Sequence, residues 1–184
     1  MILIFSAPSG SGKSTLVQHL LDTREDMELS ISATTRAPRG KEQDGKEYYF
    51  ISRERFEELI KQDAFVEYEQ VYQGTYYGTL RSEIDRIERA GHHVVFDIDV
   101  KGGINIKRMF GDKARAIFIA PPSLEILRER LTNRGTDSQE KIEERLAKAE
   151  IEMADAPMFD TILVNDDLSA TKQALDKEIA AFIH

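Results

Sequence analysis

Short apolar runs alternate with segments of helical periodicity along most of the chain. Five runs have the composition of β-strands: "ILIFS", "LSIS" (29–32), "HVVFDI" (93–98), "ARAIFIA" and "DTILVN". They do not alternate polar and apolar positions, which is typical of strands buried on both faces of a parallel sheet. Helical segments lie between them, and an amphipathic helix over 169–183 comes last. The pattern predicts an α/β fold with a five-stranded parallel sheet flanked by helices.

Capping residues mark the ends of several predicted helices. One helix ends at Gly91, where glycine permits the left-handed conformation that closes a helix. Another begins with Ser123 as its cap and ends at Gly135. Asp137 and Glu140 have the spacing of a capping box, which predicts that the next helix begins there.

The stretch 34–79 departs from this rhythm. It is rich in arginine, tyrosine and glycine, and it contains one predicted helix, beginning at Ser52. We interpret it as a lobe of mixed α+β structure inserted into the α/β fold. The chain is then a single domain with the following parts: a core of 1–33, 80–122 and 156–184, the inserted lobe 34–79 and a helical lid region 123–155.

Composition narrows the possible partners. A length of 184 residues with 41% hydrophobic residues suits one domain with one core. A formal net charge of −8 and a pI near 5.1 disfavour diffuse binding to nucleic acid or an anionic membrane, so an anionic ligand needs clustered arginines. The lack of cysteine excludes disulfides, thiolate metal sites and cysteine nucleophiles. No leader pattern follows Met1, so we expect a cytoplasmic location. We also expect a monomer or homodimer without membrane or nucleic-acid partners.

Residues 6–15, "SAPSGSGKST", almost complete the phosphate-binding pattern G-x-x-x-x-G-K-[ST], with Ala7 in place of the first glycine. A strand before the loop and a helix after it would place main-chain N–H groups around one anion. Lys13 would then reach the outer phosphates of a nucleoside triphosphate, and the Ser14 hydroxyl would bind Mg²⁺. Ala7 is acceptable if its φ is negative. The predicted loop residues are Ala7, Pro8, Ser9, Gly10, Ser11, Gly12, Lys13, Ser14 and Thr15.

A plain serine and glycine turn before an ordinary helix is the alternative, which the flanking strand and helix disfavour. The loop does not distinguish a kinase from a hydrolase or a switch. The N-K-x-D motif of a GTPase is absent from the sequence.

The inserted lobe indicates a second anion site. Arg36 and Arg39 lie three residues apart, with Tyr48 downstream. Guanidinium groups offer paired N–H donors and keep their charge, so with a phenol they suit a phosphate monoester. A solvated basic loop is the alternative, and the neighbouring triphosphate site disfavours it.

Seven segments in their order and spacing resemble guanylate kinases: "SAPSGSGKST", "TTRAPRGKEQDGKEYYF", "FVEYEQVYQGTYYGT", "VVFDIDVKG", "FIAPPS", "RLTNRGTDS" and "VNDDL". The resemblance runs from about Ile2 to the last helix, essentially the whole chain. It implies the P-loop NTPase nucleoside-monophosphate-kinase fold, with the inserted lobe binding GMP. It also implies Mg²⁺-dependent transfer of the γ-phosphoryl group of ATP to GMP or dGMP, giving ADP and GDP, in purine nucleotide metabolism.

The resemblance implies roles for individual residues as well. The residues around the GMP phosphate would be Arg36, Arg39, Tyr48 and Tyr77. Those around guanine would be Ser32, Glu67, Thr79 and Asp99, and Gly78 would also bind the substrate. Asn165 would contact adenine, although a strand-end turn is an alternative role for it. The residues serving catalysis would be Lys13, Arg36, Arg130, Arg134 and Arg145, the last three as lid arginines with a hinge at Gly135.

Glu67 also makes chemical sense for guanine. The ring imino and exocyclic amino groups of guanine are adjacent donors, and one carboxylate can accept from both. Adenine lacks this pair and would leave a buried carboxylate unpaired. By itself, Glu67 is better explained as a solvent-facing strand residue, and its assignment to guanine rests on the resemblance. Thr79 departs from the serine often found after "YYG" in the family, but it keeps the hydroxyl.

Asp97 and Asp99 end a predicted strand and share one side of it, which suits acidic groups beside the phosphate loop. Asp97 could orient Mg²⁺ through water, and turn formation is the alternative role of this pair. The lid arginines would stabilise the charge that spreads over a transferring phosphoryl group. Without the resemblance they read as surface salt-bridge residues.

Two other functions compete with this interpretation. Guanylate-kinase-like scaffold modules bind phosphopeptides but lack a working phosphate loop, whereas Gly12, Lys13 and Ser14 are intact here. A kinase of the same architecture acting on a phosphorylated sugar would need no guanine reader, so Glu67 and Asp99 favour the nucleotide.

Overall fold

The computed structural model describes residues 1–72, 74–135 and 137–183, and within them the chain forms nine strands and seven α-helices. The strands are β1 (Ile2–Ser6), β2 (Met27–Leu29), β3 (Ala33–Thr34), β4 (Tyr49–Phe50), β5 (Phe65–Tyr72), β6 (Thr75–Leu80), β7 (His93–Asp97), β8 (Ala114–Ala120) and β9 (Thr161–Val164). The helices are α1 (Lys13–Thr23), α2 (Arg53–Lys61), α3 (Arg81–Arg89), α4 (Val100–Phe110), α5 (Leu124–Asn133), α6 (Gln139–Ala154) and α7 (Leu168–Phe182).

Five strands form a parallel sheet in the order β2-β7-β1-β8-β9, so β1 is central. The strands that sequence patterning predicted are the members of this sheet, and the predicted fold class is confirmed. β1 is buried along its whole length, as its unbroken apolar run requires of a strand covered on both faces.

A second sheet of four strands has the order β4-β3-β6-β5. β6 pairs antiparallel with both β3 and β5, and β3 pairs parallel with β4. All four strands lie between β2 and β7 in sequence, together with α2, which begins after Ser52 as predicted. This mixed sheet with one helix is the α+β insertion that the composition of 34–79 indicated.

The chain forms two compact units, each described separately below. The first unit holds Met1–Glu25 and Phe96–His184, and the second holds Asp26–Val95. His184 lies outside the described residues.

Each unit has its own apolar packing. In the first unit, α5 and α6 pack through a buried cluster of Leu127, Leu131, Ile142, Leu146 and Ala149. In the second unit, the Phe56 ring stacks on Phe65 with centroids 4.3 Å apart and on Tyr76 at 5.1 Å. Such aromatic pairs add stabilisation beyond that of the buried area, about 1 kcal/mol each. Each unit therefore has a buried apolar cluster of its own.

One strand and one helix cap differ from the sequence prediction. The strand expected at 29–32 is β2, which ends at Leu29. Ser30 still donates its N–H to the Val95 carbonyl at 2.9 Å. Ile31 lies beyond the strand, and its N–H donates to the Glu83 carboxylate at 3.0 Å. The capping box is wrong: Ser138 caps α6 by accepting from the Lys141 N–H at 3.3 Å. Asp137 instead pairs with Arg145.

The other predicted ends agree with the structure. Ser123 accepts from the Ile126 N–H at the start of α5, and Gly91 and Gly135 follow α3 and α5 with φ values of 81° and 65°. No helix within the described ranges is long and apolar enough to cross a membrane.

Candidate active site

The loop between β1 and α1 has the backbone geometry of a phosphate loop. Gly10 and Gly12 have φ values of 95° and 92°, in the left-handed region that favours glycine. Ala7 does not, because Asp63 is the only non-glycine residue with positive φ in the described part of the chain. The methyl group of Ala7 is buried and leaves the loop intact, as predicted.

Neighbouring helices and strands hold this loop tightly. The Asn165 amide Nδ2 donates to the Ser11 carbonyl at 2.8 Å, and the Asn165 side chain is buried. A Cβ on Gly12 would collide with that amide, and a Cβ on Gly10 would lie 3.0 Å from methyl groups of Leu127 and Leu131. Glycine is therefore favoured by φ at both positions, and at Gly12 by space as well.

Helix α1 begins directly at Lys13, with Gly12 as its N-cap. The first N–H groups of a helix have no intrahelical partner, so they can bind an anion at this end. Ser14 and Thr15 lie exposed in the first turn. They line an open cavity of about 440 Å³ together with Gln18, His19, Asp22 and Lys172.

The end of β7 lies beside the phosphate-loop lysine. Lys13 Nζ is 2.6 Å from Asp97 Oδ1 and donates to the Ile98 carbonyl at 3.0 Å. Asp99 caps α4 by accepting from the Gly102 N–H at 3.0 Å. Asp97, the last residue of β7, is thus beside the loop lysine, whereas Asp99 lies beyond the strand, contrary to the prediction that both end it.

Two of the three predicted lid arginines contact elements of the phosphate-loop region. Arg130 donates to the Asn165 main-chain carbonyl at 2.8 Å. Arg145, on α6, donates to the Ser9 hydroxyl at 2.5 Å and pairs with Asp137, Nε to Oδ2 being 3.3 Å. Arg134 lies exposed at the C-cap of α5. The predicted hinge continues from Gly135 into Thr136, which lies outside the described residues.

The second unit carries the predicted phosphate-monoester residues. Arg36 donates from Nε to the Tyr77 hydroxyl at 3.0 Å, and its guanidinium carbon lies 5.0 Å from the centre of the Tyr48 ring. Burial raises the pKa of the Tyr48 phenol, so this hydroxyl keeps its proton and can donate. Arg39 is exposed on the same loop.

Glu42 already occupies Arg36. Its carboxylate accepts from Nη1 at 2.6 Å and from Nη2 at 2.8 Å, and it also accepts from the Arg39 N–H at 2.7 Å. The hydrogen bond from Arg36, followed by that from Arg39, lowers the pKa of Glu42 to about 2. A carboxylate therefore stands where the sequence predicted a phosphate, an anion of similar hydrogen-bonding geometry.

The predicted guanine-binding residues of the second unit lie on adjacent strands. Glu67 and Thr79 face each other across β5 and β6, and the Thr79 hydroxyl donates to Glu67 Oε1 at 2.9 Å. Gly78 lies against β5, where a Cβ would be 2.9 Å from the Glu67 carbonyl. Ser32 lies just before β3 and its carbonyl accepts from the Tyr49 N–H. Asp99, predicted with this group, belongs to the first unit.

Sequence reasoning missed three acidic residues. Glu42 pairs with Arg36 and Asp137 pairs with Arg145, but neither pairing follows from a known spacing. Glu152, on α6, pairs with Lys148 at 3.5 Å. Burial raises the pKa of the Glu152 carboxyl above its ordinary value, against the opposing charges of Lys148 and Lys13. Helical patterning gave no sign that Glu152 would be half-buried.

The phosphate loop after the central strand of a parallel sheet defines a P-loop protein with the nucleoside-monophosphate-kinase fold. Residues 1–182 match the family model described as "Guanylate kinase". The chain belongs to the guanylate kinase family.

Curated relatives and a solved structure agree with this membership. A "Guanylate kinase" of Porphyromonas gingivalis is 54% identical over 99% of this chain and 97% of its own length. A "Guanylate kinase" of Bacteroides thetaiotaomicron is 51% identical over 100% of this chain and 90% of its own. The crystal structure of guanylate kinase from Anaplasma phagocytophilum is similar with a TM-score of 0.74 and 30% identity, covering 98% of this chain and 85% of that one.

Proposed function

We propose that this chain transfers the γ-phosphoryl group of ATP to GMP or dGMP, giving ADP and GDP, with Mg²⁺ as the assisting cation. The observation that carries the proposal is the contact between Glu67 and Thr79 in the unit that also holds Arg36 and Tyr48. The residues that we assign to guanine and to the GMP phosphate thus lie in one unit of a member of the guanylate kinase family that has an intact phosphate loop.

ATP would bind at the loop between β1 and α1. Its phosphates would lie against main-chain N–H groups at the start of α1, where the helix dipole favours negative charge. Lys13 would exchange its contact with Asp97 for the outer phosphates. The buried Asn165 holds the loop through its contact with the Ser11 carbonyl, and we also assign it to contact with adenine.

Ser14 and Asp97 would hold Mg²⁺. A hydroxyl and a carboxylate are hard oxygen donors, which is the ligand type that Mg²⁺ takes in nucleotide sites, so this donor set fits the ion. When bound, the ion neutralises charge on the β- and γ-phosphates. Transfer of Lys13 to the phosphates would leave the Asp97 carboxylate available for this role.

The GMP phosphate would replace Glu42 on Arg36. Both anions accept paired N–H donors, and the Tyr48 and Tyr77 hydroxyls lie beside the same guanidinium group. The exposed Arg39 would supply a second guanidinium group. Exchange of one anion for another keeps the arginine charge compensated throughout.

Guanine would lie against Glu67, Thr79 and Ser32, with Gly78 giving room for close approach. The Glu67 carboxylate would accept from the two adjacent N–H donors of guanine. Asp99 is the fourth residue that we assign to this base. AMP has no adjacent pair of donors for the Glu67 carboxylate, so its binding would cost hydrogen bonds. This cost underlies the proposed selectivity for GMP over AMP.

Phosphoryl transfer needs positive charge and exclusion of water more than covalent chemistry. Arg130 and Arg145, which already contact Asn165 and Ser9, would stabilise the transferring group, together with Arg134 and Arg36. We assign 123–155 as the lid, 34–79 as the GMP-binding lobe and the remaining residues as the core. We further propose that the enzyme is a cytoplasmic monomer or homodimer.

A coupled assay of ADP release tests this function. GMP should support turnover at least about a hundredfold faster than AMP, UMP or ribose phosphates, because those acceptors do not satisfy Glu67. ATP binding without turnover on any acceptor would indicate a scaffold module. Preference for ribose phosphate would indicate a sugar kinase. Either of these results would overturn the proposal.

A further inference from the structure

Glu83 is a buried carboxylate that the proposed reaction does not use. It lies in the first turn of α3 with 3% of its surface exposed. Oε1 accepts from the Tyr49 hydroxyl at 2.8 Å and from Arg86 Nε at 2.9 Å. Oε2 accepts from the Ile31 N–H at 3.0 Å and from Arg86 Nη2 at 3.1 Å. Both oxygens are fully used, in agreement with the rule that a buried charge must be paired and hydrogen-bonded.

The groups that Glu83 binds flank the proposed GMP-binding residues. Ile31 directly precedes Ser32, and Tyr49 directly follows Tyr48. The Tyr49 N–H donates to the Ser32 carbonyl at 2.9 Å, which closes a ring of contacts through Ile31, Glu83 and Tyr49. Each of the two chain segments is thus fixed to the other and to α3.

A third segment of the proposed site, β6, is connected to Glu83 by the main chain. β6 ends at Leu80, which caps α3, so Thr79 lies four residues before Glu83 with no loop between them. Two parts of the proposed GMP site therefore bind the Glu83 side chain, and a third is joined to its helix by the main chain. A displacement of Glu83 would move Ser32 and Tyr48 relative to Thr79.

We propose that Glu83 is a positioning residue for GMP, which acts through Ile31 and Tyr49 on Ser32 and Tyr48. This inference rests on the proposed function of the same site. Glu83 does not touch the substrate in this account. It sets the spacing between the guanine-binding hydroxyl and the phosphate-binding phenol before GMP arrives, which reduces the ordering that binding must perform.

Arg86 compensates the negative charge of the buried Glu83 carboxylate. Its guanidinium group binds both oxygens of Glu83 on one side and Glu28 on the other. Glu28 also accepts from His92 at 3.0 Å and does not contact Ile31 or Tyr49. Glu28 therefore shares the partner Arg86 with Glu83 but has no hydrogen bond to Ile31 or Tyr49. This makes Glu28 a matched control position.

The test measures KM for GMP, KM for ATP and kcat in Glu83→Ala, Tyr49→Phe, Glu83→Gln and Glu28→Ala, with melting temperatures for each. We expect Glu83→Ala to raise KM for GMP about tenfold and Tyr49→Phe about threefold, since each removes buried hydrogen bonds of the ring. KM for ATP and kcat should stay within about twofold of wild type.

The conservative and control variants separate positioning from stability. Glu83→Gln retains an oxygen for Ile31 and a partner for Tyr49, so its KM for GMP should fall between those of wild type and Glu83→Ala. Glu28→Ala should leave KM for GMP within about twofold, even where its melting temperature drops as far as that of Glu83→Ala.

Three results would overturn the inference in an enzyme whose wild type phosphorylates GMP. They are an unchanged KM for GMP in Tyr49→Phe and Glu83→Ala, an equal rise in KM for ATP, and an equal rise in KM for GMP in Glu28→Ala. Tyr49→Phe loses one hydroxyl only and keeps the test open if Glu83→Ala does not fold. Failure of the wild type to use GMP would instead overturn the proposed function.

Discussion

The ion pair of Arg36 and Glu42 is the residue-scale feature with the clearest pH dependence. The pKa of Glu42 falls from 4.5 to about 2 in the folded chain, because Arg36 and the Arg39 N–H donate to its carboxylate. A carboxyl with a lowered folded pKa stabilises the fold above its unfolded pKa and loses this contribution as the pH falls towards the folded value. The stabilisation is therefore complete above about pH 5 and declines below pH 4.5.

Melting temperatures of wild type and Glu42→Gln between pH 6 and pH 3 measure this contribution. The difference between the two should be largest at pH 6 and shrink towards pH 3, since protonation removes the same charge as the substitution. The difference in melting temperature between wild type and Arg36→Gln should also shrink towards pH 3. A difference that stays constant over this range would contradict the assigned pairing.

Glu67 should determine which base is accepted. Glu67→Ala should lower kcat/KM for GMP about a hundredfold, because two hydrogen bonds to a charged group are lost, and should change kcat/KM for AMP less than about threefold. The ratio of the two constants is the measurement. Glu54→Ala, exposed on α2, is the control and should leave the ratio unchanged. Equal losses with both acceptors would mean that Glu67 does not read guanine.

Lys13 should matter for catalysis beyond its contact with Asp97. Lys13→Ala should lower kcat about a thousandfold, as expected when a preorganised positive group at the transferring phosphate is lost. Steady-state kinetics at saturating ATP and GMP measure this, with Lys177→Ala on the exposed face of α7 as the control. A kcat of Lys13→Ala within tenfold of wild type would exclude this role.

At the scale of the element, the phosphate loop requires glycine at Gly12 but not at the first glycine position of the motif, which Ala7 occupies. Gly12→Ala should weaken ATP binding by at least about tenfold, because Gly12 has a φ of 92° and its Cβ would collide with the Asn165 amide. Ala7→Gly should change ATP affinity less than about threefold, because Ala7 has no positive φ. Titration of both variants with ATP, monitored by calorimetry, gives the comparison. Equal affinities of the two variants would contradict this reading of the loop.

Local signals were sufficient to predict most elements of the sheet and the loop. Strands such as β1 and β8 are uninterrupted apolar runs, and Ser52 and Ser123 cap their helices as their positions indicate. Gly12 and Lys13 lie in a motif in which the sequence spacing determines the loop conformation. In each case the residues that define the element are neighbours in sequence.

The features that the sequence did not predict depend on contacts between distant residues. β2 ends at Leu29, and the Ile31 N–H that follows it donates to Glu83, over fifty residues away. Asp137 faces Arg145 rather than capping α6, since Ser138 caps the helix. The partner of Arg36 is Glu42, and no spacing rule connects the two. Such pairings are decided by tertiary packing, which periodicity and capping rules do not contain.

At the scale of the whole molecule, the charge balance agrees with a small anionic substrate rather than a polyanion. The formal net charge of −8 repels nucleic acid at long range, so anions must be bound by local groups. The first unit supplies main-chain N–H groups and Lys13 for this purpose, and the second supplies Arg36 and Arg39. Two nucleotide sites with different chemistry are the expected result.

Calorimetric titration of the wild-type chain with GMP, and then with AMP, tests the central claim most directly. GMP should bind with one site per chain and with an affinity at least about a hundredfold higher than that of AMP, because only guanine offers two donors to Glu67. Tight binding of ATP with no heat on addition of GMP would show that the second unit is not a guanine nucleotide site, and the account would then be wrong.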